Sequence, residues 1–403
     1  MEDIRFYDFS FRLLHIEHAV KAAYWTLKHN GVGTFEGTFP MSEALMEVLF
    51  SNRYLLIVQG AKQAIVTGRQ AGTEIALFGK TVNWLLTKRS FPAYRSSALF
   101  AKGLIEKETV SHILTYIIEN AFSHVGNFKF RLKDGDGNVY EPTEESFLKL
   151  GIPATEKHYW RHTRRTVSEI VTDALDASGC GHRMFADIPG KEWVLEIYRG
   201  KARGVMLSED LKNYTNTVLT DDLQEYCTGG WFDLSLHSCG ELDPALGLPG
   251  ADADRAGDYY TVSYGEDSEK VSGFSAGCFY VCMEDGSWEV HDTLPALSAY
   301  VSHISPEEAG GGIAEAFTAI LKWDAVFSNM GEAEATEAVK KQQKTRAVSG
   351  THTGELFEKT VFLGDTVCAQ AEKKGFRAAE EKMVLSAEVW FEGTGSGEKL
   401  VVG

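Results

Sequence analysis

Over the first ~90 positions, apolar and polar residues alternate in short runs. In Thr34, Phe35, Glu36, Gly37, Thr38 and Phe39 both phenylalanines fall on one face. Residues 54–58 (YLLIV) and 64–67 (AIVT) are short, largely β-branched and aliphatic, and separated by Gln59, Gly60, Ala61 and Lys62; residues 75–78 (IALF) follow a glycine turn at Gly72. Several short strands at even spacing predict a barrel or a sandwich. The period then changes. Val110, Ile113, Leu114, Ile117, Ile118 and Ala121 recur at helical spacing, which predicts a helix within 96–124.

A hairpin is predicted next, from residues 128–132 through the turn 134–138 to Val139 and Tyr140. Thr166, Val167, Ser168 and Glu169 match a capping box. The stripe Val167, Ile170, Val171, Ala174 and Leu175 follows it, and Gly179 can stop the helix. Strands are predicted at 193–198, 216–219, 259–264 and 278–282. The Gly-, Asp- and Pro-rich stretch 239–259 predicts a long surface loop. Residues 313–324 fit a helix and a strand equally well. Residues 332–345 predict a solvated helix with Glu337 and Lys341 one turn apart. The chain returns to β pattern at 360–363, at 366–368 after a turn at Gly364 and Asp365, and from 384 to 391. No repeat at solenoid periods is present.

Composition narrows the function classes. Of 403 residues, 44% are hydrophobic and 24% charged, which fits globular domains and not bulk disorder; the length suits two to four of them. No apolar run is long enough to span a bilayer, and the first residues lack the basic segment and apolar run of a secretory signal. A net charge of −17 disfavours binding to phosphate backbones. The six cysteines, at 180, 227, 239, 278, 282 and 368, form no C-x-x-C pair, so buried free thiols are expected rather than a disulfide framework or a zinc ribbon.

The chemical motifs are weak. Gly273, Phe274, Ser275, Ala276 and Gly277 match G-x-S-x-G, with Asp292 and His303 as conceivable partners. That motif needs a strand before it and a helix after it, and a polar stretch and an apparent strand stand there instead. Gly79, Lys80 and Thr81 end like a phosphate loop, but its first glycine is replaced by Glu74. Asp134, Asp136, Asn138 and Glu145 imitate a calcium loop with Val139 where glycine is required, and a hairpin turn explains the same residues. His15 with His18, and His158 with His162, have ligand spacing without supporting context. No catalytic residue, metal ligand or cofactor site is assigned. One cluster stands out in an acidic chain: Lys157, Arg161, Arg164 and Arg165 around Trp160. It fits an anion or partner contact, a solvated helix start or, less well in so acidic a chain, a nucleic-acid contact.

The opening residues Ile4, Arg5, Phe6, Tyr7 and Asp8, then Tyr24, Trp25 and Thr26, Gly33 to Glu36 and Phe39-Pro40, resemble the start of phage tail hub (baseplate hub) proteins of the siphovirus ReqiPepy type. The stretch from Gly79 to Arg89 looks like that family's closure of its first barrel, and Leu363, Gly364, Asp365, Thr366 and Val367 resemble its "lGD.V" turn. The likeness runs over most of the chain but not 239–310. It implies a β-rich α+β fold, with tail-tube-like β-barrel domains and inserted mixed α/β domains. The expected segments are a first barrel (1–95), a mixed α/β domain (96–205), a β-rich second barrel or insertion (206–330), and a helix with a β segment returning to the barrels (331–403).

The resemblance also implies a structural role without enzymatic activity. The expected protein is a virion component at the tail tip, made in the bacterial cytoplasm. It would be a homotrimer related to the central hub of contractile-tailed phages. It would join the tail tube to distal tail, tape-measure and tip or fibre proteins and line the conduit through which DNA passes unbound. Acidic side chains are expected on the lumen, and the cluster at Lys157, Arg161, Arg164 and Arg165 against a neighbouring protein. The rival readings are a tail-associated cell-wall or glycan hydrolase, and a host-surface binding module exposing Trp231, Trp288, Tyr259 and Tyr260.

Overall fold

The computed structural model describes the chain except for residues 1–2, 91–103, 123, 154–156, 162–164, 177, 222–226, 228, 234–235, 243–246, 251–255, 263–269, 272–273, 276, 284, 296–297, 303–323, 328–331 and 343–345. It forms two units: residues 1–219 with 348–403, and residues 220–347.

The first unit begins with β1 (Ile4–Tyr7), β2 (Leu13–Glu17), β3 (Ala22–Lys28), β4 (Thr34–Pro40), α1 (Glu43–Ser51), β5 (Leu56–Gln59), β6 (Lys62–Ala71), β7 (Glu74–Thr81) and α2 (Trp84–Thr87). The strands lie in the order β2-β1-β5-β6-β7-β4-β3. Alternate side chains of this curled sheet fall into two cores. Phe6, Trp25, Phe35, Phe39, Ile57 and Leu77 pack inside, whereas Tyr7, Leu56 and Ile65 face outward into a second core. Both faces of β1, β5 and β6 are therefore covered, which explains the unbroken apolar runs there. The helix α1 interrupts the expected all-β stretch. Ser42 Oγ accepts a hydrogen bond from Leu45 N at 3.4 Å as N-cap, and Leu45 and Leu49, one turn apart, bury the inner face.

The second core is a mixed α/β layer made of β8 (Leu104–Thr109), α3 (Val110–Phe122), β9 (Phe128–Lys133), β10 (Val139–Tyr140), α4 (Glu144–Lys149), β11 (Lys157–Arg161), α5 (Val167–Asp176), β12 (Cys180–Asp187) and β13 (Glu192–Arg199). The predicted stripes of α3 and α5 are buried, apart from the partly buried Ala121. The capping box of α5 is reciprocal: Thr166 N donates to Glu169 Oε2 at 2.7 Å, and Glu169 N to Thr166 Oγ1 at 3.3 Å. The sheet runs β10-β9-β13-β12, with β13 parallel to β9. Glu196 of β13 is fully buried between Arg131 (Nε to Oε2, 2.8 Å) and Arg183 (Nε to Oε1, 2.7 Å). Both guanidiniums stand over Phe185, at 5.0 and 5.3 Å from its centroid.

β14 (Ala202–Leu207) and β15 (Tyr214–Asp221) lead into a third core, completed by the strands Arg346–His352, Thr366–Lys373, Phe376–Glu392 and Gly395–Val402. The 17-residue strand Phe376–Glu392 pairs first with Thr366–Lys373 and then with β3, setting Trp390 opposite Tyr24. One strand thus serves two cores, and Leu27 and Val389 pack against both. Residues 360–363 form a turn rather than the expected strand. Val361 bridges to Phe357, and the Asp365 carboxylate takes the Phe362 N–H (2.9 Å) that a ladder would have used.

In the second unit, Gly229–Asp233 lies between Ser298–Ser302 and Asp324–Phe327, under the helix Glu332–Gln342. Phe232, Phe327, Ala335 and Val339 form that core. Leu242, Val262 and Tyr280 form another, against the sheet His237–Glu241, Asp258–Thr261, Phe279–Cys282 and Trp288–His291. The expected loop 239–259 is thus bounded by strands, with 247–250 irregular between them. Of the ambiguous stretch 313–324, all but Asp324 lies outside the described residues. Among the described residues, no helix is long and apolar enough to cross a membrane. The architecture is β-rich α+β, as the residue pattern and the resemblance implied.

Candidate functional site

Half of the basic cluster lies on a strand and not at a helix start. Lys157 and Arg161 are the two ends of strand β11, which pairs antiparallel with β8. Arg164 lies outside the described residues. Arg165 stands just before α5, where its guanidinium bonds the Glu169 carbonyl oxygen at 3.2 Å and pairs with Asp173.

The remaining motifs resolve into local structure. Ser275 sits in the short hairpin of Lys270–Val271 and Phe274–Ser275, where its backbone N–H donates to Tyr280 Oη at 2.7 Å. Asp292 accepts from the Cys278 thiol at 3.6 Å, and His303 lies outside the described residues. Lys80 and Thr81 end strand β7, and Thr81 Oγ1 accepts from Gly33 N at 2.8 Å. Asp134 accepts from Asp136 N, Asn138 N, Asn138 Nδ2 and Tyr140 Oη at 2.7–3.0 Å. Desolvation pushes its pKa up, but these hydrogen bonds outweigh it and bring the value down to about 2. That is an Asx-type hairpin turn. His15 contacts Glu17 at 3.4 Å and His18 contacts Asp3 at 2.8 Å, so the pair has separate partners. His158 is in β11, and His162 lies outside the described residues. None of the six cysteines is joined in a disulfide; Cys180, Cys227 and Cys282 are buried as expected, whereas Cys239 is exposed.

The most elaborate polar arrangement is one the sequence did not suggest. Strand β12 is the edge of its sheet, and the backbone groups along that edge are met by three carboxamides from the first sheet and its turns. Asn30 donates to Cys180 O (3.1 Å) and accepts from His182 N (2.7 Å). Asn83 accepts from Met184 N (2.5 Å) and donates to Gly31 O (2.9 Å). Gln63 donates to Ala186 O (2.9 Å) and accepts from Ala186 N (2.7 Å). Side-chain amides thus take the place of a neighbouring strand and join the first sheet to the α/β layer. Two histidines lie in the same joint. His182 is buried, with Nε2 at 3.0 Å from Thr172 Oγ1 and no hydrogen-bond partner at Nδ1. Burial, and then the neighbouring His29, lower its pKa to about 4. His29 Nδ1 contacts Tyr198 Oη at 2.9 Å; burial lowers the pKa of the histidine and raises that of the phenol.

A second joint ties the α/β layer to the third core, on the turn that carries the "lGD.V" residues. Asp365 is almost fully buried and accepts from Lys201 N (2.8 Å), Arg203 Nε (2.6 Å) and Phe362 N (2.9 Å). Gly200 passes so close that a Cβ there would lie 1.8 Å from Gly364 O, and Gly364 itself has φ +82°.

Over its whole length the chain is similar in structure to the 43 kDa tail protein of prophage MuSo2 from Shewanella oneidensis (13% identity, covering 100% of this chain and 98% of that one, TM-score 0.50). It is likewise similar to prophage tail protein gp18 from Listeria monocytogenes EGD-e (12% identity, 100% and 94%, TM-score 0.51). The chain shares the fold of these two proteins. No family model matches the sequence, and no curated protein matches it.

On this fold, the open face of the long sheet carries a cross-strand row. Pairing aligns Gly68, Phe78, Glu36, Tyr24, Trp390 and Gly397. Phe78, Tyr24 and Trp390 are 39%, 40% and 36% exposed. Tyr24 Oη donates to Glu392 at 2.8 Å, and that bond raises the phenol pKa. Aromatic side chains set in a regular row on a solvent face are the kind of surface that assembly covers. The two ends of the chain both contribute to it.

Proposed function

We propose that this chain is a structural hub of a phage or prophage tail tip, of the siphovirus ReqiPepy type, acting without chemistry of its own. Three copies form a ring that joins the tail tube to the distal tip. Their contacts run mainly through residues 1–95 and 346–403. Tape-measure and tip or fibre proteins adjoin the ring, DNA passes through it, and the segment with Lys157, Arg161, Arg164 and Arg165 faces a neighbouring protein. The observation that carries this reading is the exposed aromatic row Phe78, Tyr24 and Trp390 on a sheet built from both chain ends, in a fold shared end to end with two prophage tail proteins. Long sheets with open faces and edges need neighbours, and closed rings supply them. Imaging of assembled tails is the test. Three copies in one ring at the tail end are expected. A single copy, six equivalent copies, or copies spread along the tube would overturn the proposal.

A further inference from the structure

The charge of this molecule is divided very unevenly. Residues 220–347, the second unit, hold 23 Asp and Glu against 7 Lys and Arg, a balance of −16. The rest of the chain has 34 acidic and 33 basic residues, a balance of −1. The unit of residues 220–347 therefore carries nearly all of the net charge of −17, and its field attracts cations and repels nucleic acid.

Within that unit, the helix Glu332–Gln342 lies on one face of the three-stranded sheet. Phe232 and Phe327 point into the core beneath the helix Glu332–Gln342. Their neighbours along each strand, Trp231 and Val326, point the other way. Parallel pairing sets Trp231 directly beside Val326, and they are 46% and 76% exposed. A valine on the middle of a strand with three-quarters of its surface in water is an apolar contact awaiting a partner.

We infer that this face docks a basic protein segment that carries apolar side chains. Charge complementarity selects the occupant. A nucleic acid would be repelled, and the same face of a second copy would bring −16 against −16. A cationic segment is drawn in by the whole unit and held by desolvating Trp231 and Val326, as an aromatic anchor within a charged surround.

The test uses the full chain and a labelled amphipathic Lys–Leu peptide, with a Lys–Ser peptide of equal charge and a Glu–Leu peptide as controls, read by fluorescence anisotropy. The Lys–Leu peptide is expected to bind, more weakly as salt rises, and the two controls at least about tenfold less well. Val326→Lys and Trp231→Lys should each weaken Lys–Leu binding by about tenfold or more, and the milder Val326→Ser by less. Circular dichroism of each variant checks that the sheet is intact; Val326→Ser, at so exposed a position, keeps the test decisive if a lysine disturbs it. Equal binding of Lys–Ser and Lys–Leu would mean bare polyelectrolyte attraction and overturn the inference. So would full-strength binding by the variants. Self-association of the full chain that Val326→Lys abolishes would assign the face to a second copy instead.

Discussion

Replacing Asn83 by leucine should loosen the joint between the first sheet and the α/β layer as a whole. Asn83 is buried, and its amide serves Met184 N–H and Gly31 C=O at once. Leucine has nearly the same size, so the change leaves two buried backbone groups unpaired rather than a cavity. Each orphaned group costs about 1–3 kcal/mol, which puts the loss at roughly 3 kcal/mol, or on the order of a hundredfold in the opening constant of the joint. Native-state hydrogen exchange is the appropriate assay because a chain with several cores has no single unfolding free energy. The amides to watch are His182 and Ala186, whose own acceptors on Asn30 and Gln63 are untouched by the substitution. They should exchange faster by one to two orders of magnitude, about as much as the joint is weakened. Amides of β13 facing β9 should keep their protection. If His182 and Ala186 exchange at the wild-type rate, the three carboxamides act independently and the idea of one cooperative joint fails.

Acid should weaken the same joint. The pKa of His182 lies below its unfolded value, so its contribution is complete above about pH 6.5 and is lost as pH falls towards 4, roughly 2–3 kcal/mol between pH 7.5 and 4.5; protection of the Met184 and Ala186 amides, corrected for the intrinsic exchange rate at each pH, should show this loss shrinking in His182→Gln. Ser275→Ala should change stability by less than about 0.5 kcal/mol and leave any biological activity intact, because the Ser275 bond to Tyr280 uses the backbone N–H; loss of a measured hydrolytic activity in a folded variant would refute the structural reading. Reversing two charges of the basic segment, Arg161→Glu with Arg165→Glu, should impair assembly of tails while thermal unfolding of the isolated chain moves little, since an exposed pair such as Arg165–Asp173 contributes at most about 1 kcal/mol.

Periodicity revealed the elements whose burial is one-sided. The stripes of α3 and α5, the hairpin at Asp134 and the strand β13 follow from residues close in sequence, as does the capping box at Thr166. The helix α1 was hidden because its apolar residues Leu45, Met46, Val48, Leu49 and Phe50 fill both periods; its legible mark was Ser42 three residues before Leu45. The turn at 360–363 has a strand's composition, and only the buried Asp365 carboxylate diverts it. The joint was not legible at all. Asn30, Gln63 and Asn83 are ordinary polar residues until the fold brings β12 beside them, more than 100 positions later in the chain. The basic cluster was legible as charge but not as a strand, because the helical signal of α5 begins only at Thr166.

The strand shared by two cores also sets an order of events during synthesis. Lys28 of β3 pairs with Ser386, some 360 residues downstream. At bacterial or eukaryotic elongation rates, the outer edge of β3 stays unpaired for about 20 to 70 s after it leaves the ribosome. During that interval Tyr24 and Trp25 sit on an open sheet edge, which can recruit the same edge of another nascent chain. A slow temperature-dependent yield in recombinant expression, relieved by supplying residues 346–403 in trans, is the practical form that this delay would take.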